Sequence, residues 1–130
     1  MNIIDKIKQK NNFNSSKNKY GDEIINEMEI KLGLKFNDEY KICMKEFGIF
    51  SFGGHEFMGI IDSDRLNIVK NTIREKEKYL TIKKDMYVIE DLNIDSILVW
   101  QNTAGEIFES DAEGNYVKIY NNFDEYINEV

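Results

Sequence analysis

Residues Lys45–Ile60 read KEFGIFSFGGHEFMGI, and these sixteen residues hold four of the chain's eight glycines, four of its eight phenylalanines and its single histidine. Just upstream, Tyr40, Cys43, Met44 and Phe47 recur at helical spacing, with Asn37 placed to cap the start. The pattern predicts a helix that stops at Gly48. Gly53-Gly54 then permits a tight turn or bulge, and Gly59 ends or bends the strand that carries Phe57. The stretch reads as a junction from helix to strand pair, with His55 and Glu56 on its exposed or edge side.

The pattern on either side extends this reading. Ile3, Ile4 and Ile7 predict a short amphipathic helix, followed by a polar loop over Asn11–Lys19. Asp22 is positioned to cap a second helix carrying Ile24, Ile25, Met28 and Leu32, with Gly33 just past its end. Another helix is expected between Asp64 and Tyr79, with Leu66, Val69 and Ile73 inward and Arg74–Lys78 as a solvated face. Short β-like runs follow at 86–89, 96–100, 106–109 and 116–120, separated by turn residues, which predicts an antiparallel meander. Phe123, Tyr126 and Ile127 fit a short closing helix. Helices first and strands afterwards argue for one α+β domain over 1–130, with N-terminal helices packed on a mixed, largely antiparallel sheet.

Composition narrows the function. The net charge is −7, which repels nucleic acid and anionic lipid and favours a basic partner. No apolar run approaches the roughly 20 residues needed to span a bilayer, and charges interrupt the start where a signal peptide is apolar. A cytoplasmic protein is expected. With Cys43 alone, an internal disulfide cannot form.

The candidate chemistries fail on the residues themselves. A phosphate-binding loop needs lysine and a hydroxyl residue after its last glycine, yet Gly53-Gly54 is followed by His55-Glu56. Nucleophilic catalysis at His55 lacks a partner, because Cys43 falls on a buried helix face that keeps a thiol protonated. One histidine and one cysteine are a poor start for a zinc site. Asp62-Ser63-Asp64 opens like a calcium loop, but Arg65 and Leu66 break the pattern. Carboxylate pairs such as Glu90-Asp91 are abundant, as 24 acidic residues would produce by chance. The aromatics Tyr87, Trp100, Phe108, Tyr116 and Tyr120 lie in acidic surroundings and read as core rather than as a base-stacking platform. No catalytic, cofactor-binding or metal-binding residues are assigned.

Two segments carry a family resemblance: LGLKFNDEYK at Leu32–Lys41 and KEFGIFSFGG at Lys45–Gly54. With the Gly105-Glu106-Ile107-Phe108 hairpin and Asn122-Phe123-Asp124-Glu125-Tyr126, the chain resembles the SUKH superfamily of Smi/Knr-type domains over about residues 22–130. That family commonly has proline before the helix that Asn37 caps here. The resemblance implies a non-enzymatic immunity protein that binds a cognate toxin domain and acts as a monomer or weak homodimer. The alternative it implies is a regulatory interaction module without a toxin partner. Acids at expected strand ends and turns are the candidate contacts: Glu56, Asp62, Asp64, Glu90, Asp91, Glu109 and Asp111.

Overall fold

The computed structural model describes all 130 residues. At its centre the quoted stretch is a hairpin, β2 (Phe50–Phe52) paired with β3 (His55–Phe57). Gly53 and Gly54 form the two-residue turn with φ of 53° and 84°. Two successive left-handed residues give the turn type whose twist matches paired strands. The short β1 (Asn14–Ser15) pairs with the other edge of β2, completing a three-stranded antiparallel sheet.

Helix α3 (Asp38–Phe47) leads into this hairpin, and its cap is the expected one: Glu39 N donates to Asn37 Oδ1 at 3.1 Å. The helix ends at Gly48 with φ 72°. Ile60 N donates to Gly48 O at 3.0 Å, so the two ends of the stretch meet. A Cβ on Gly59 would lie 1.9 Å from that same oxygen. Gly59 is therefore a close-approach glycine, required by packing rather than by its own φ.

Helix α1 (Ile3–Lys8) and helix α2 (Asp22–Leu32) precede α3. Gly21, not Asp22, occupies the cap of α2; Asp22 takes the first helical position and accepts from Lys45 Nζ at 2.7 Å. Helix α4 (Ile68–Lys78) begins later than expected, because Leu66 adopts a left-handed φ of 67° and Asn67 supplies the cap. Its inward residues are Ile68, Asn71, Thr72 and Glu75, whereas Ile73 is 43% exposed. The polar stripe has work inside: Thr72 Oγ1 accepts from Val88 N at 3.1 Å.

The meander is present as β4 (Tyr87–Asp91), β5 (Leu98–Gln101), β6 (Ile107–Ser110) and β7 (Tyr116–Tyr120), antiparallel throughout. A register shift between Val88 and Glu90 leaves Ile89 out of the ladder, and Ile89 O accepts from Met58 N at 2.8 Å, linking the two sheets. The single parallel contact is an isolated bridge between Gly59 and Asn67. Helix α5 (Phe123–Glu129) closes the chain. The architecture is α+β.

One core joins all of this. Trp100, Tyr40 and Tyr87 are buried in it, and each finds a polar partner. Trp100 Nε1 donates to Ser110 Oγ at 2.9 Å, Tyr40 OH to Met58 O at 2.5 Å and Tyr87 OH to Gln101 Oε1 at 2.6 Å. Such pairing removes the cost of burying a polar tip. No helix is long and apolar enough to cross a membrane.

Candidate functional site

Strands β3 and β4 each carry an adjacent polar pair, His55-Glu56 and Glu90-Asp91. Successive residues of a strand point to opposite faces, so each pair sends one member inward and one outward. The outward members, Glu56 and Asp91, line a cleft of about 270 Å³ together with Asp64, Arg65, Arg74 and Asn93. The inward members, His55 and Glu90, meet behind it.

Charge in the cleft is arranged rather than simply negative. Arg65 forks onto Glu56, Nη1 to Oε1 at 2.8 Å and Nη2 to Oε2 at 2.7 Å. That guanidinium holds the Glu56 carboxyl below the usual range, as Lys70 does for Asp64 at 2.9 Å. Arg65 and Arg74 are the chain's two arginines. Arg74 Nη2 donates to Asn71 Oδ1 at 2.5 Å, and buried Asn71 is itself fixed by donating to Asn67 O and Asp64 O. The guanidinium is thereby held at the cleft without a carboxylate partner. Planar, oriented arginines of this kind are enriched where protein interfaces concentrate their energy.

Two walls of the cleft are strained loops. Leu66 has a φ of 67°, unusual for a bulky side chain, and Asn93, which also lines the cleft, has a φ of 58°. Asn93 N donates to Asp91 Oδ1 at 2.8 Å, and Gly59 N donates to Leu66 O at 3.0 Å, so both loops are pinned where they turn. Strain maintained this way is commonest at functional sites.

The seven acids singled out by sequence therefore separate. Glu56, Asp64 and Asp91 share the cleft. Asp62 lies next to it, in a groove of about 490 Å³ with Tyr20, Ile24, Met28 and Val69. Glu109 is half-buried on β6, opposite Val99 and Val117. Asp111 builds its own turn, accepting from Glu113 N at 2.9 Å and Asn115 N at 3.0 Å. Glu90 departs from the expectation of a surface acid, since it is only 2% exposed. The extra residue at Ile89 and the packing of α5 turn its side chain into the core, where Tyr126 OH donates to Oε1 and His55 Nδ1 lies 2.6 Å from Oε2. Burial pushes the Glu90 carboxyl upward, against the pull of its Tyr126 and His55 partners.

Sequence reasoning missed Arg65, Arg74 and Asn71 as site residues. In the sequence Arg74 reads as part of a solvated face and Arg65 only as a break in a calcium-loop pattern, and nothing singles out Asn71. Cys43 is buried as expected, and burial raises its thiol far above the range where a thiolate forms. No three His, Cys, Asp or Glu side chains converge as a metal site would require. Residues 1–130 match the family model SUKH_5, described as SMI1-KNR4 cell-wall. No curated protein matches the chain.

Proposed function

Because the chain belongs to the SMI1-KNR4 family of SUKH domains, we propose that it is an immunity protein that binds a cognate toxin domain and blocks its action. The family match over residues 1–130 carries this reading, and family membership by itself supports a protein-interaction or immunity-type role. The charge of −7 suits a partner with a basic cleft, as a nuclease toxin has, because opposite charge accelerates encounter. The cleft between β3, β4 and the start of α4 is the contact region this reading favours. It presents acids at Glu56, Asp64 and Asp91 and oriented arginines at its rim. Work in the cytoplasm as a monomer or weak homodimer belongs to the same proposal.

The test is co-expression with the C-terminal domain of a toxin encoded beside this gene. Rescue of growth and a stable complex are the expected results. Asp64→Lys combined with Asp91→Lys is expected to slow association at low salt, with the difference fading as salt rises. Neither rescue nor complex would leave the second reading, a regulatory interaction module of the Smi/Knr type that binds a different protein.

A further inference from the structure

Five charged side chains line the cleft, and their pairing leaves a remainder. Arg65 is closed onto Glu56 by its two-point fork, and Asp64 is closed onto Lys70, which stands beside the cleft, at 2.9 Å. Arg74 and Asp91 are left without an ion-pair partner, although both line the same space of about 270 Å³. With Lys70 included, the cleft holds three cations and three anions, so it is locally neutral in a chain of net charge −7.

Both unpaired groups are nevertheless held in place. Glu77 stands three residues after Arg74 on α4, where a carboxylate ordinarily pairs with a cation, yet the guanidinium bonds back to Asn71 instead. Asn71 is 4% exposed, and its amide nitrogen is spent on Asp64 O and Asn67 O, so its oxygen is fixed toward Arg74. That bond occupies Nη2 alone; Nη1 and Nε of Arg74 make no hydrogen bond within the chain. Asp91 is set in the same manner, since Asn93 N donates to Oδ1 at 2.8 Å while Oδ2 accepts no hydrogen bond. Arg74 is felt at Asp64, but it is the smallest of the influences there, behind the bonded Lys70. A fork of donors and a carboxylate oxygen, each preset by a neutral neighbour, therefore border one space with no opposite charge upon them.

We propose that the cleft is a receptor for an ion pair on a partner protein, in which an acidic side chain seats on Arg74 and a basic one on Asp91. This rests on the reading of the cleft as the contact region and adds what must enter it. A lone cation on Asp91 would share the cleft with an uncompensated Arg74, and a lone carboxylate on Arg74 with an uncompensated Asp91. A pair of opposite charges satisfies both and keeps the cleft neutral. The charge of the whole chain then governs how fast a basic partner arrives, while the cleft governs which partner stays, by the order of its charges. Arg74 is a specificity residue in this scheme, one that the acidic composition conceals.

The chain has two arginines, so their side-chain Nε–H signals in NMR are told apart by Arg74→Lys alone. Three blocked tripeptides serve as probes on the full chain: acetyl-Glu-Gly-Lys-amide, and the same peptide with glutamine in place of the glutamate or of the lysine. The expected result is a saturating shift of the Arg74 signal by the doubly charged peptide, about fivefold weaker binding of either singly charged one, and no movement at Arg65. Equal affinity for the three peptides, parallel shifts of both arginines, or no saturable shift at all would overturn the ion-pair assignment. With the toxin domain, Arg74→Gln and Asp91→Asn are each expected to weaken the complex about tenfold, chiefly through faster dissociation. A stable complex indifferent to both substitutions sinks the ion pair and leaves the immunity reading standing. Absence of any complex sinks that reading instead, and the peptide titration alone then decides the site.

Discussion

Glycines that look alike in sequence do different work, and their substitutions separate accordingly. Gly54 needs its left-handed φ of 84° but has open space around it, so Gly54→Ala is expected to cost only the backbone preference, about 1 kcal/mol. Gly59 has an ordinary φ, yet a Cβ there would sit 1.9 Å from the Gly48 carbonyl oxygen. Backbone must move to admit it, and Gly59→Ala is expected to cost about 3 kcal/mol or more by urea denaturation. Two buried carboxylates make a similar contrast. Glu29 Oε2 accepts from Phe36 N at 2.8 Å and lies 3.5 Å from Lys41 Nζ, tying α2 to the segment before α3. Glu29→Ala leaves that amide orphaned and should lose about 2 kcal/mol. Glu75 is also buried, but its Oε2 has no hydrogen-bond partner and Lys78 Nζ stands 3.7 Å from Oε1. Glu75→Met removes an unsatisfied group at similar volume and should raise stability by about 1 kcal/mol; a loss of that size would show the carboxylate to be supported.

At the level of whole elements, apolar periodicity found what apolar residues build and was blind to the rest. The stripe of α3, the stop at Gly48 and the strand pair around Gly53-Gly54 were legible because Tyr40, Cys43, Met44 and Phe47 are buried at the spacing that predicts them. Helix α4 misleads for a physical reason. Its inward face is Ile68 followed by Asn71, Thr72 and Glu75, of which Asn71 and Thr72 bond to backbone, while Ile73 faces water. Thr72→Val is expected to cost about 2 kcal/mol, since it keeps the shape but leaves Val88 N unpaired. Ile73→Lys should change stability by less than about 0.5 kcal/mol. The reverse order in thermal or urea denaturation would restore the inward assignment of Ile73. The cleft was half legible on the same grounds. Strand alternation separates the members of each pair, but the one-residue shift at Ile89 decides which of Glu90 and Asp91 turns inward, and nothing local announces it.

Across the whole molecule, the charge of −7 sums two populations of acids that respond to pH in opposite directions. Glu56 is held low by Arg65, Glu106 by Lys118 and Asn102, and Asp22 by Lys45. Each favours the folded state at pH above the ordinary carboxylate range, and that contribution is lost as pH falls through the depressed folded value. All three are exposed pairs, so each contributes little alone and acid sensitivity should be gradual and weakened by salt. Glu90 has the opposite sign. Burial raises its folded value above the unfolded one, so the folded chain binds this proton more tightly. Its contribution is complete below the ordinary glutamate range and is lost as pH rises through the raised value. Glutamine at this position is nearly the same shape and never ionises. The urea midpoints of wild type and Glu90→Gln should therefore lie closest in acid and diverge as pH rises, with the wild-type chain falling relative to the variant. Parallel curves would mean that Tyr126 and His55 compensate the buried charge completely, and that the core behind the cleft is indifferent to its proton.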